Sequence, residues 1–163
     1  MSSDKLLVLG VTPEVTMPHN NSLFCFKLDG ATETLFASSG KVALPYRAND
    51  FLDVCGVSRN TSNQILISLA AQAYGLPPSL QLYRYNGDGS VDTSFGTSGT
   101  ISHTFEASIL QYLLTEPKVN SAGKIIVTGR NNNNQLTVLR FNGDGNIDDT
   151  FGANGAVFHG LGV

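Results

Sequence analysis

The chain has 163 residues, of which 41% are hydrophobic and 14% charged, with a formal net charge of −3. That balance excludes a disordered chain, and with no basic excess and no Lys/Arg run it excludes nucleic acid and anionic membranes as expected partners. Seventeen glycines, with abundant Asn, Ser and Thr, are what short strands joined by tight turns require.

Two cysteines, Cys25 and Cys55, are too few for a disulfide framework and are expected as buried free thiols. The apolar run Leu6–Leu9 is too short for a signal sequence. No window is long enough to span a bilayer, so membrane insertion is not expected. The sequence assigns no compartment.

In chain order, Lys5–Gly10 is a short apolar run closed by glycine, with counterparts at Gln64–Ser68 and Lys124–Gly129. Each reads as a buried strand, B. Polar or proline-bearing segments of differing length follow at Val11–Asn21, Gln72–Ser79 and Arg130–Gln135, and are expected to be loops. Leu23–Phe26, Leu80–Tyr85 and Leu136–Phe141 form a second strand type, C, the latter two with the alternation of a half-buried strand. A repeated loop comes next. Then Lys41–Leu44, Thr100–Phe105 and Ala156–His159 form strand D. Phe51–Ser58 and Leu110–Val119 supply strand A, returning to B through turns at Asn60–Asn63 and Asn120–Gly123.

The order is therefore B-C-D, A-B-C-D, A-B-C-D, in units of approximately residues 1–47, 48–106 and 107–163, with no helix expected. An all-β fold of three tandem four-stranded repeats follows, the first lacking strand A. β-Propeller-like blades are the preferred architecture, either an incomplete propeller or one closed by oligomerisation. A trefoil-like barrel is the alternative.

The repeated loop is the clearest signature. Arg84–Ile101 reads RYNGDGSVDTSFGTSGTI and Arg140–Val157 reads RFNGDGNIDDTFGANGAV, with a worn copy at Cys25–Val42. Gly87, Gly89, Phe95, Gly96 and Gly99 recur as Gly143, Gly145, Phe151, Gly152 and Gly155. Turn geometry explains the glycines, and each phenylalanine is expected to bury its ring beneath the loop. The alternative is calcium: Asn86, Asp88 and Asp92, with Asn142, Asp144 and Asp148, have part of the spacing of an acidic calcium loop. However, Arg84 and Phe95 occupy two positions where such a loop needs oxygen. The structural reading is preferred, with no metal and no cofactor expected.

The run N-G-D-G-S-V-D-T-S-F-G-T-S-G, the preceding Arg-Tyr or Arg-Phe and the segment G-K-I-I-V-T-G resemble the delta-60 repeat of large bacterial surface and secreted proteins. The resemblance implies non-enzymatic β-propeller-like blades and a bacterial surface or secreted setting. It carries no catalytic residues. This chain departs from the pattern at Lys27-Leu28, at Ala37, and at Pro117, where strand A is expected to end or bulge. The first copy is expected to be distorted.

No nucleophile, zinc or phosphate-loop motif is present, and His103 and His159, matched in strand D, read as residues of a solvated face. The expectation is not an enzyme but an interaction module for a protein or glycan, with Tyr46, Tyr74, Tyr83, Tyr85 and Tyr112 as candidate sugar platforms. A self-assembling scaffold is the alternative, and an enzyme site built across blades is the remaining one. Three blades are too few to close a propeller, so self-association through open sheet edges is expected.

Overall fold

Alternation along the second sheet's strands sends side chains to two opposite faces, and both faces are apolar. Leu66, Leu80 and Leu82 point one way, while Ile65, Ile67, Leu69, Tyr83 and Tyr85 point the other. A sheet with two apolar faces has to be covered on both.

The computed structural model describes residues 5–12, 20–45, 50–73, 78–104, 115–130, 133 and 135–160. Its first sheet contains β1 (Lys5–Thr12), β2 (Asn20–Lys27) and β3 (Lys41–Ala43). The second contains β4 (Asp50–Arg59), β5 (Ile65–Ala73), β6 (Ser79–Tyr85) and β7 (Thr100–Thr104). The third contains β8 (Lys118–Val119), β9 (Ile125–Arg130), β10 (Gln135–Phe141) and β11 (Ala156–Gly160). Each sheet is an antiparallel meander in chain order, B-C-D in the first and A-B-C-D in the others. One 3-10 turn, Phe36–Ser38, lies in the first loop.

The ladders close within each sheet, so the trefoil-like barrel does not form. The sheets instead stack, with one core between each pair. Leu23, Cys25, Phe36 and Leu44 of the first meet Ile65, Ile67, Leu69, Tyr83 and Tyr85 of the second. Leu66, Leu80, Leu82 and Phe95 of the second meet Ile125, Val127, Leu139 and Phe141 of the third. The middle sheet thus belongs to both cores.

Two expectations are corrected. Cys25 is fully buried, and burial pushes its thiol pKa up, but Cys55 is only half-buried. The first copy of the loop is worn in sequence yet regular in backbone. Its bonds from Lys27 to Ala31, Gly30 to Lys27, Glu33 to Cys25 and Phe36 to Glu33 match those from Asn86 to Ser90, Gly89 to Asn86, Asp92 to Arg84 and Phe95 to Asp92. Ala37 even takes a φ of 48°, beside 52° at its counterpart Gly96. A side chain is tolerated at Leu28 but not at its counterpart Gly87, because a Cβ on Gly87 would strike Asn63 in the A–B turn of its own sheet.

Strand A of the third sheet is described only from residue 115. Pro117 is buried and immediately precedes β8, so pairing with β9 is confined to Lys118 and Val119. The register irregularity of an A strand falls in β4, between Val54 and Gly56, and Gly56 lies against Glu116 of the third sheet. His19, Tyr46, Tyr74 and Tyr112 lie outside the described residues.

Candidate functional site

The repeated loop leaves strand C, turns at Asp-Gly and returns to strand D. Each Asp of the turn caps its own backbone: Asp88 Oδ1 accepts from the Ser90 N–H at 2.9 Å, and Asp144 Oδ1 from the Asn146 N–H at 2.9 Å. These bonds, backbone first and side chain second, hold both carboxyls below the usual range.

The second acid of the loop is a clamp. Asp92 Oδ2 accepts from Arg84 Nε at 2.8 Å and Gln64 Nε2 at 2.8 Å, and its Oδ1 from the Ser94 hydroxyl at 2.6 Å. Asp148 Oδ2 accepts from Arg140 Nε at 2.7 Å and stands 3.0 Å from Lys124 Nζ, while its Oδ1 takes the Thr150 hydroxyl at 2.6 Å. In the first sheet Glu33 pairs with Lys5 at 2.6 Å. Lys5, Gln64 and Lys124 are equivalent, each one residue before the aligned Leu6, Ile65 and Ile125. The Ser94 hydroxyl first, and the Arg84 guanidinium among the further causes, keeps Asp92 below its ordinary pKa. Thr150, then Lys124 and Arg140, does so for Asp148.

Sequence reasoning missed the role of Lys5, Gln64 and Lys124 because Gln64 breaks the lysine pattern in the middle unit; their shared place at the start of strand B was the available signal. Of the calcium candidates, Asp88, Asp92, Asp144 and Asp148 direct their carboxylates to amides, hydroxyls and cations, Asn86 bonds Ser90, and Asn142 accepts from Lys124. Among the described residues no three of His, Cys, Asp and Glu gather as metal ligands.

The loop also reaches forward to the next sheet. Phe36 and Phe95 are fully buried, each lying where a side chain on the following sheet's Gly89 or Gly145 would stand. The Ala37 N–H donates to the Asp88 carbonyl at 2.8 Å and the Gly96 N–H to the Asp144 carbonyl at 2.9 Å. Arg84 covers Phe95, guanidinium carbon to ring centroid 4.5 Å, and donates through Nη1 to the Gly143 carbonyl. The phenylalanine staple therefore joins sheets rather than closing one loop. Phe151, at the end of the series, is only half-buried, which corrects the expectation that its ring would be covered. Gly87, Gly99 and Gly155 lie within the loops of the second and third sheets.

Between the second and third sheets the two A–B turns frame a cleft of about 570 Å³. Thr61, Ser62, Asn120 and Ser121 line its rim, Arg84 its wall, and Leu66 and Ile125 its floor. Asn60 and Asn120 each shape their turn by accepting from a backbone N–H four residues on, at 2.9 and 3.0 Å. Tyr83 and Tyr85 are buried in the first core, where burial raises the Tyr85 pKa to about 12, so neither offers a ring to a sugar. His103 is not on a solvated face: it is half-buried with its ring edge-on to Phe141 at 5.7 Å, and burial pushes its pKa down. His159 is exposed.

Among the described residues no helix is long and apolar enough to cross a membrane. No curated protein and no solved structure matches the chain. Residues 71–95 and 123–151, which run from strand B or its approach to the loop phenylalanine, match a family described as a domain of unknown function (DUF5122) beta-propeller. Over these equivalent segments of its second and third sheets, the chain is similar to a β-propeller family.

Proposed function

We propose that this chain is a non-enzymatic β-propeller interaction module of the delta-60 type, and that it binds an extended protein segment in the cleft between its second and third sheets. The observation that carries the reading is the cleft. Two equivalent turns give it a rim of hydroxyls and amides above an apolar floor, and its volume lies in the range of ligand sites. Such a lining suits a neutral peptide backbone with small apolar side chains. The burial of Tyr83 and Tyr85 removes two aromatic platforms that would favour a glycan. Asp92, bonded to the Arg84 and Gln64 that line the cleft, is held ionised by fixed donors, which suits an anchor better than a proton-transfer group.

The test is a displayed random-peptide library panned on the purified chain, with a glycan array in parallel. Peptides that bind the chain and lose binding on Ser121→Trp, which fills the rim, support the reading. Peptides indifferent to that change, or binding only on the glycan array, overturn it. No binding in either assay favours a scaffold without a ligand of its own.

A further inference from the structure

The two internal junctions are built from the same parts in the same direction. Each sheet offers the next a loop phenylalanine, the N–H of the following residue, and the face carrying strand C's Leu23 or Leu82. Each sheet receives these on the opposite face, with the Asp-Gly turn as socket: Gly89 takes Phe36, and Gly145 takes Phe95. Call the offering face the tail and the receiving face the head. A chain of three sheets uses two tails and two heads. One of each remains.

Both remaining faces carry matching parts. On the third sheet's tail, Phe151 is half-buried, Leu136 is 39% exposed and Val157 is 38% exposed, although their counterparts Phe95 and Leu80 are fully buried. Arg140 stacks on Phe151 at 4.3 Å, as Arg84 does on Phe95. Among the described residues the Gly152 N–H has no acceptor, whereas its counterparts Ala37 and Gly96 each reach the next sheet. On the first sheet's head, Leu6 is 54% and Val8 37% exposed, where the equivalent Ile65 and Ile67 are fully buried. Nothing stands within 4 Å of a Cβ built on Gly30, in contrast to Gly89 and Gly145.

We propose that the tail of the third sheet docks on the head of the first sheet of a second copy of this chain. The Phe151 ring enters the space beside Gly30, and the Gly152 N–H donates to the Asp29 carbonyl. Arg140 reaches the Leu28 carbonyl as Arg84 reaches Gly143. The contact is head-to-tail, joining different surfaces, and the same contact made twice between two copies closes a ring of six sheets. It uses sheet faces, where the uncovered apolar side chains lie, and is independent of what the cleft binds.

Sedimentation velocity tests it with two exposed-site variants. Leu6→Asp with Val8→Asp disables the head, and Leu136→Asp with Val157→Asp disables the tail. Circular dichroism establishes that each variant keeps its strands. The unaltered chain is expected at twice the 17.3 kDa of one copy, and each variant alone at a single copy. An equimolar mixture of the variants should return to two copies, because one intact head and one intact tail remain. Hydrogen exchange at Gly152 should slow in the unaltered chain relative to the tail variant. A single-copy mass for the unaltered chain, a pair that survives either variant, or a mixture that stays single would overturn the proposal.

Discussion

Phe95 fills the space above Gly145, fifty residues along the chain and one sheet away: a Cβ on Gly145 would lie 3.0 Å from the Phe95 ring and 2.7 Å from Ile101. A glycine that looks like a turn residue is also the floor of a socket. Gly145→Ala therefore meets two costs, the left-handed backbone (φ 96°) and the displaced ring, together about 2–4 kcal/mol. Gly30→Ala shares the backbone cost at φ 85° but has open space around it, and should cost about 1–2 kcal/mol. Urea unfolding of the two variants in the single-copy, tail-disabled background separates the terms. Equal losses would show that the ring does not press on Gly145.

Arg84 and Arg140 have the same local partners but different surroundings. Arg84 pairs with Asp92 where both side chains are 10% exposed, and it ties its sheet to the Gly143 carbonyl; Arg140 is 26% exposed. Arg84→Met should cost about 3 kcal/mol, since it leaves a buried carboxylate with fewer donors and cuts a tie between sheets. Arg140→Met should cost less, about 1–2 kcal/mol in a single copy, because Asp148, 3% exposed, keeps Lys124 and Thr150 and no tie between sheets is cut. Chemical denaturation of each variant checks the ranking.

The loop acids set the response to acid. Glu33, Asp88, Asp92, Asp144 and Asp148 all have folded pKa values below their ordinary ones. Unfolding raises them to about 4, so the unfolded chain binds protons first. Their contribution is complete above that value and disappears as pH falls through the folded values. The acids' share of the urea midpoint should thus hold steady from neutral pH to about 5 and drop below about 4. Asp92→Asn should flatten that drop.

His103 acts in a separate window. Burial lowers its pKa, so the unfolded chain takes up this proton first, near 6.5, and stability declines as pH falls below that value. His103→Leu, which copies Leu44 at the equivalent place in the first core, should abolish the decline that sets in below about pH 6.5. A decline unchanged in the variant would assign it to another group.

The strands were readable because Leu6–Leu9, Ile65–Leu69 and Ile125–Val127 are short apolar runs between turns, and because the loop repeats. The loop's second task was hidden. Phe95 and Gly145 each have a sufficient reason within their own unit, so nothing local marks their contact. His103 was assigned to solvent for the same cause: its neighbour Phe141 belongs to the next sheet. The clamp escaped notice because Gln64 stands where the other two units have Lys5 and Lys124, so position and hydrogen-bonding role are shared by all three but residue type is not. In the worn copy, Lys27-Leu28 suggested distortion, but the backbone bonds there need only the turn, and Leu28 has no packed A–B turn to avoid among the described residues.

The middle sheet presents a head to the sheet before it and a tail to the sheet after it, and each is fully met. A duplicate of residues 48–106, spliced in after the original, would keep the present junction with the third sheet and would meet the original through equivalent parts, Phe95 against Gly89. Lengthening such a protein by gene duplication asks for one new junction, made from parts of a kind already matched. The chain carries, in one module, the rule for its own extension.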